Sequence, residues 1–310
     1  MNKKKFREDL LQIADPEQVF FDEPLKNHTT FRIGGPADYF VCPDTVQKVK
    51  RILELCKTSG VDCYILGNGS NVLCSDQGYR GMVMRIGAPL DYLIMTESPG
   101  ACVTVKAGAG IAIAALAAKT ARSGLTGLEF AGGIPGTLGG GVLMNAGAYG
   151  GEIADTIVSA EILNGEGQHE TLGRERLQLS YRDSILQHQP GVILGATFVL
   201  HKDDPAACTA RIEDFNARRR EKQPLEFASA GSTFKRPKGA FAGPLIQNAG
   251  LQGYRVGDLE VSTKHAGFVI NHGQGTCEEA LAVIRHVIEE VERTSGYVLE
   301  PEVRIIGDFS

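Results

Sequence analysis

The chain has 310 residues, 43% of them hydrophobic and 22% charged, with 38 glycines and a formal net charge of −5. That length allows two or three domains, and an acidic balance without a basic arm excludes a general nucleic-acid binder. Seven cysteines without a CxxC pair read as reduced core thiols, the basic start MNKKKFREDLLQIAD lacks a signal peptide's apolar core, and no apolar run could span a bilayer, so a cytoplasmic protein is expected.

Residues 1–20 read as a short amphipathic helix with Phe6, Leu10, Leu11 and Ile13 on one side. After the Gly34-Gly35-Pro36 turn, Asp38 to Val41 enter a strand. Asp44 is expected to cap the next helix, with Gln47 as its capping-box partner. Val46, Val49, Ile52, Leu53 and Cys56 form that helix's apolar face, and Gly60 ends it. The strand Asp62 to Leu66 then runs into Gly67-Asn68-Gly69-Ser70-Asn71, giving a β-α-β unit that ends in a glycine loop. GMVMRI, DYLIMTE and CVTVKAG read as short strands, and Gly110 to Ser123 as an alanine-rich helix. Strands are expected at Ile157 to Leu163 and Val192 to Leu200, separated by the polar hairpin Asn164-Gly165-Glu166-Gly167. Asp204 before Pro205 starts a helix that runs to about Glu221. Its last turn carries Arg218, Arg219, Arg220 and Lys222, either a solvated end whose cations offset the helix dipole or a contact for an anionic ligand. Thr276 and Glu279 box the start of the last helix, Leu281, Ile284, Ile288 and Val291 form its stripe, and Gly296 terminates it. YVLEPEVRIIG closes the chain as a β segment.

The stretch LEFAGGIPGTLGGGVLMNAGAYGG, from Leu128 to Gly151, concentrates the glycines. Such density needs positive φ angles or a backbone that comes very close to something. Freed N–H groups of this kind can cradle an anion, and a diphosphate fits well, although tight structural turns would also use glycine. GNGSN is weaker alone, but two such loops could hold the two phosphates of one diphosphate. GxSxG, GxxxxGK[ST] and HExxH are absent, the three-glycine Rossmann pattern fails, and His265 and His272 are not spaced as a metal pair. No metal is expected. Arg182 in LSYRDS, Ser232 in ASAGSTFKRP and Glu302 in LEPEVR are polar residues in unusual settings, each also readable as an ordinary surface or turn group.

Together, TTFRIGGPADYF, LGNGSNVL, GLEFAGGIPGTLGGGVLMNAGAYGGEI, LSYRDS, ASAGSTFKRP, AGPLIQNAGLQGYRVGD, VSTKHAGFVIN and LEPEVRIIG resemble the signature stretches of the UDP-N-acetylenolpyruvoylglucosamine reductase family, in the family's order. The resemblance implies an α+β, three-domain FAD-binding fold of the vanillyl-alcohol-oxidase/PCMH type with a C-terminal α/β substrate-binding domain. The implied FAD-binding subdomains are 1–79, with the C-terminal return 299–310, and 80–203, and the substrate domain is 204–298. It also implies non-covalent FAD on Gly67, Asn68, Gly69, Ser70, Asn71, Gly133, Ile134, Pro135, Gly136, Thr137, Gly140, Asn145, Ala146 and Gly147. Arg182, Ser232 and Glu302 match the family's catalytic positions, and Lys235, Arg236, Arg255 and Lys264 are candidate substrate contacts. Arg236 stands where some members have Asn. Only about nine residues separate Arg182 from the strand at Val192, too few for the family's Tyr-bearing substrate loop, so the chain resembles the type that lacks it.

The implied reaction reduces UDP-N-acetylglucosamine enolpyruvate to UDP-N-acetylmuramate, with NADPH as reductant and FAD as hydride relay. In it Arg182 would face the charge that develops on the substrate carboxylate. Glu302 would be protonated or hydrogen-bonded to that carboxylate, and Ser232 would protonate the α-carbon. A flavin oxidase of the same superfamily, acting on a small alcohol, is the competing activity.

Overall fold

Pro16 cuts the N-terminal helix short: in the computed structural model, which describes residues 3–87, 90–98 and 100–309, the helix runs only from Lys3 to Leu11. A 3-10 turn at Pro16–Gln18 follows, and the chain is already in a strand at Val19–Pro24. Phe6 and Leu10 are buried as expected, whereas Leu11 faces solvent. The second helix, Val46–Ser59, is capped by Thr45 and not by Asp44. The Thr45 hydroxyl accepts the Lys48 N–H at 3.1 Å, while the Asp44 carboxylate takes the Lys48 ammonium at 2.9 Å. Two adjacent residues of cap-forming type thus divide the backbone and side-chain donors of one lysine.

The chain divides into two compact units, one of Met1–Phe20, Phe40–Asn68 and Met82–Arg219, the other of Phe21–Tyr39, Gly69–Gly81 and Arg220–Ser310. In the first unit, Cys63–Leu66 pairs in parallel with Met82 to Arg85. Its larger sheet is antiparallel, in the order His169–Gly173, Ile157–Asn164, Gly191–Lys202, Cys102–Gly108 and Leu93–Glu97, with Leu125–Thr126 added alongside Gly191–Lys202. Alternation along Cys102–Gly108 buries Val103, Val105 and Ala107, each against neighbours such as Ala196, Phe198 and Leu200 that are buried in turn. The strand His169–Gly173 is absent from the sequence reading. The Asn164 hairpin turns into it, and its mostly polar pattern, HETLG, gives little strand signal.

In the second unit the antiparallel order is Ala228–Ser232, Phe268–Asn271, Leu259–Val261 and Arg255–Val256. The helix Cys277–Ser295 covers it with Cys277, Ala280, Val283, Ile284, Val287 and Val291, while Leu281 and Ile288 lie at the margin of the same core. Thr276 and Glu279 form the expected box at its start. Asp76 adds a second cap from a distant loop, accepting the N–H groups of Cys277 at 2.8 Å and Glu278 at 3.0 Å. The C-terminal strand is short, Arg304–Ile306, and pairs in parallel with Val72–Cys74. No described helix is long and apolar enough to cross a membrane.

Candidate active site

In the first unit the glycine stretch is a 3-10 turn at Glu129–Ala131, a loop from Gly132 to Thr137 and a one-and-a-half-turn helix at Leu138–Leu143. That short helix was not expected, because three successive glycines at 139–141 oppose helix by propensity. Tertiary bonds hold it instead. Leu138 N–H donates to Ile111 O at 2.8 Å, Gly139 N–H to Ala109 O at 2.9 Å, and Ile113 N–H to Gly136 O at 3.1 Å.

The glycines have separable causes. A Cβ at Gly132 would meet Ile212 Cγ2 at 2.6 Å, and one at Gly133 would collide with Asn216 Oδ1 and meet Arg219 Nε at 3.2 Å. These two serve close approach of the helix Pro205–Lys222. Gly141 makes room for Ile113, at 2.8 Å. Gly136 has φ +128, a conformation that L side chains rarely adopt. Gly140 has open space on its Cβ side, with only Thr137 Oγ1 nearby at 3.7 Å. A Cβ at Gly67 would collide with Thr137 Oγ1, so the end of the strand Cys63–Leu66 and the Gly132–Thr137 loop touch.

Among the described residues, the N–H groups of Gly136 and Thr137 have no acceptor, although Thr137 is buried. A buried N–H without a partner is rare and costs free energy unless a ligand answers it. These two donors fit the anionic part of a nucleotide, with Gly67 and Asn68 alongside on the touching loop. Ile134 donates its own N–H back to Ala131 O at 3.0 Å, and Pro135 is exposed at the loop's tip.

Asn145 is 1% exposed. Its Oδ1 accepts Ala154 N–H at 2.9 Å and its Nδ2 donates to Ser180 O at 3.0 Å. It therefore brackets the glycine stretch to the turn that carries Arg182. Ala146 N–H closes onto Gly141 O at 2.8 Å, and Gly147 begins a two-stranded hairpin with Gly151–Glu152. Arg182 adopts φ +56, a left-handed conformation unusual for a long side chain. The paired bonds between Ser180 and Asp183 and the Gln187 Nε2 bond to Arg182 O at 2.9 Å hold it there. Its guanidinium reaches Gly147 O at 3.3 Å and lies 5.4 Å from the Tyr181 ring centroid. Residues 145–147 and Arg182 thus form one connected assembly.

The second unit joins Ser232, Glu302 and Asn71. Ser232 ends the strand Ala228–Ser232 opposite Phe268. The next residue, Thr233, donates to Gly267 O at 2.8 Å, accepts Val269 N–H on its hydroxyl at 3.0 Å, and accepts Glu302 N–H at 2.8 Å. Lys235 N–H to Glu300 O extends this strap, and Asn71 spans it from the other side through Glu302 O at 3.2 Å and Arg304 N–H at 3.0 Å. Gly69, with φ +61, lies where any Cβ would collide with His28 O, and its own carbonyl accepts Thr30 N–H at 3.2 Å. Ser70 follows in the same turn.

The four candidate substrate cations are dispersed. Lys235 meets Glu300 at 3.3 Å, and Arg236 lies 4.7 Å over the Phe241 ring. Lys264 donates to Arg220 O at 2.9 Å. Arg255 is bound to Asp258 at 2.8 Å on the edge strand opposite Ser232, about 14 Å away at three inter-strand spacings. Lys235 and Arg236 follow Ser232 closely, whereas Arg255 is far from it. Sequence reading did not single out Arg219 from its neighbours. It is 8% exposed and donates to Gly133 O, while Arg218 is solvated and paired with Asp214.

Residues 37–173 match the family profile described as an FAD binding domain, and residues 223–306 match that of the UDP-N-acetylenolpyruvoylglucosamine reductase C-terminal domain. The UDP-N-acetylenolpyruvoylglucosamine reductase of Agathobacter rectalis is 48% identical over 295 residues, covering 93% of this chain and 94% of that one. The protein of the same name from Lachnoclostridium phytofermentans is 48% identical over 302 residues, 97% of each chain. In structure, the crystallised UDP-N-acetylenolpyruvylglucosamine reductase of Thermus caldophilus superposes with a TM-score of 0.77 at 32% identity, covering 93% of this chain and 98% of that one.

Proposed function

Because the chain belongs to the UDP-N-acetylenolpyruvoylglucosamine reductase family, we propose that it reduces UDP-N-acetylglucosamine enolpyruvate to UDP-N-acetylmuramate. NADPH is the reductant, and the product feeds peptidoglycan precursor synthesis in the cytoplasm. FAD, when bound, supplies the two-electron chemistry that relays hydride from NADPH to the vinyl carbon. In this reading 1–79 with 299–310 and 80–203 hold the cofactor, and 204–298 binds substrate. The FAD-binding match over 37–173 and the pairing of Arg304–Ile306 with Val72–Cys74 support that division.

The observation that carries the reading is the strap between Thr233 and Glu302, a 2.8 Å backbone bond one residue from Ser232. It keeps the backbone that carries a hydroxyl, Ser232, and the backbone that carries a carboxyl, Glu302, side by side with little freedom to separate. Hydride addition drives negative charge into the substrate carboxylate, and Arg182 offers a planar, permanently charged fork for it. Glu302 orients that carboxylate, and the Ser232 hydroxyl gives its proton to the α-carbon. The Gly136 and Thr137 N–H groups answer the cofactor's diphosphate.

The test is anaerobic absorbance spectroscopy of the purified protein in the flavin's visible band. Adding NADPH bleaches the band, and adding UDP-N-acetylglucosamine enolpyruvate restores it. A protein that cannot be loaded with FAD rules the reading out. Return of the band only on admission of air assigns an oxidase instead.

A further inference from the structure

A cavity of about 340 Å³ lies within the second unit, away from the catalytic strap. Its lining includes Lys26, Arg32, Ile33 and Gly34 from the N-terminal segment, Asp76, and residues 273–275. The strand Ala228–Ser232 starts opposite Asn271, two residues before Gly273, and ends at Ser232. The cavity and the Ser232 hydroxyl therefore belong to opposite ends of that strand, about 13 Å apart by the usual rise per residue.

The lining is short of negative charge. Lys26 and Arg32 are exposed, and neither has a carboxylate partner among the described residues. Asp76 is already committed, accepting the N–H groups of Cys277 and Glu278 at 2.8 and 3.0 Å. Glu23, three residues before Lys26, holds His28 at 2.9 Å. Arg32 also adopts φ +56, a left-handed conformation unusual for a long side chain. Its N–H bond to Thr29 O and the Thr29 Oγ1 bond to Ile33 O, both at 3.2 Å, keep it there. A left-handed residue turns successive N–H groups toward one side, which is how the backbone forms an anion-binding nest. The two N–H groups that follow, of Ile33 and Gly34, have no acceptor among the described residues, although Ile33 is 1% exposed. A buried N–H without a partner is rare unless a ligand answers it.

We propose that this cavity is a second ligand site, for a small phosphate-bearing anion. The Ile33 and Gly34 N–H groups receive the phosphate oxygens, and Lys26 and Arg32 supply the countercharge. A volume of about 340 Å³ is at the small end of ligand pockets. It exceeds what a bare phosphate fills, so a phosphate monoester of a few carbons fits as well as inorganic phosphate. The site does not depend on the proposed reaction, since it shares none of its residues.

The experiment titrates inorganic phosphate and glycerol 3-phosphate into the FAD-loaded protein by calorimetry, in a buffer free of other phosphate and sulfate. The unaltered protein is compared with Lys26→Gln/Arg32→Gln. A control, Lys50→Gln/Arg51→Gln, removes the same charge from exposed positions of the first unit. Phosphate is expected to bind the unaltered and control proteins in the millimolar range or tighter, and to weaken by about tenfold or more in Lys26→Gln/Arg32→Gln. The salt dependence of binding should flatten in that variant alone. UDP affinity should stay within about twofold in all three proteins, a change too small for a lost charge-assisted bond. Tighter binding of glycerol 3-phosphate than of phosphate assigns a monoester as the occupant, and the reverse order assigns inorganic phosphate; either supports the site. Phosphate affinity unchanged in Lys26→Gln/Arg32→Gln places the anion elsewhere and overturns the proposal. So does an equal loss in the control, which marks an effect of net charge, or no binding to the unaltered protein up to about 50 mM. Should the double variant not accumulate folded, Lys26→Gln alone decides: phosphate weakened by about threefold or more supports the site, and unchanged affinity overturns it.

Discussion

The N–H of Glu302 donates to the carbonyl oxygen of Thr233 at 2.8 Å, and Asn71 Nδ2 donates to Glu302 O at 3.2 Å, so the backbone of Glu302 is tied on both sides, next to the residue that follows Ser232. On the proposed reaction, hydride delivery and proton delivery are separable. Ser232→Ala is expected to leave bleaching of the flavin by NADPH intact and to slow its reoxidation by substrate by about 10²- to 10⁴-fold, the usual range for a lost general acid. Anaerobic stopped-flow spectroscopy measures the two half-reactions separately. Reoxidation at the unaltered rate would remove Ser232 from the proton-donor role.

Gly67 and Thr137 make a second pair with a calculable consequence. A methyl group at Gly67 collides with the Thr137 hydroxyl, so Gly67→Ala is expected to destabilise the protein by about 1–3 kcal/mol, as overpacking does. Thr137→Ala alone is expected to cost about 1 kcal/mol, since its hydroxyl caps Leu138–Leu143 through Gly140 N–H. Because the second change removes the atom struck by the first, the double variant should be more stable than the sum by about 0.5–3 kcal/mol. Denaturation of all four proteins gives the coupling, and simple additivity would refute the contact.

What was legible in the sequence follows the range of the forces involved. The helix Cys277–Ser295 could be bounded at both ends because Thr276, Glu279 and Gly296 act within a turn of themselves. The cap of Val46–Ser59 was expected at Asp44 and falls to Thr45, since both residue types can cap and the choice lies in how Lys48 divides its donors. The glycine stretch was noticed for its density, but density does not separate causes. Gly132 and Gly133 answer Ile212, Asn216 and Arg219 on a distant helix, 86 residues away in the case of Arg219 and Gly133. Arg219 could not be told from Arg218 or Arg220 by type. Helical phase distinguishes them, because Ile212, Asn216 and Arg219 share a face at spacings of four and three. Asp76 gave no signal at all, as its partners lie 201 and 202 residues on.

The same helix is held by a pair whose pH dependence can be stated. Arg211 Nε and Nη2 bond Glu129 Oε1 at 2.9 and 2.8 Å, and Gly127 N–H bonds its Oε2 at 2.7 Å. Burial pushes the Glu129 carboxyl upward, but the donors of Gly127, Thr126 and Arg211 outweigh it and hold the group below the usual carboxylate range. A depressed carboxyl contributes stability above its unfolded-state value, and that contribution is lost as pH falls through the lower folded value. Arg211→Ala is expected to cost about 1.5–3 kcal/mol near neutrality, the range for a charge-assisted bond. The difference from the unaltered protein should shrink as the pH is taken below about 4, where the carboxyls protonate. Melting curves across that window test it, and a difference independent of pH would assign the loss to packing alone.

His265 titrates in the opposite sense to Glu129, its burial favouring the neutral ring. Burial holds its imidazole below the usual histidine range, and its Nδ1 accepts the Gly267 N–H at 3.1 Å, a bond that only the neutral ring can make. Gly267 O in turn receives Thr233 N–H at 2.8 Å, so the strap beside Ser232 rests on this ring. Because the unfolded chain binds the proton more readily, stability is complete above the unfolded value of about 6.5 and declines as pH falls toward the lower folded value. His265→Gln keeps an acceptor but cannot titrate in this range. Between pH 7.5 and 5.5 the unaltered protein is therefore expected to lose more of its urea midpoint than His265→Gln does. Parallel loss in the two proteins would show that another group governs the decline.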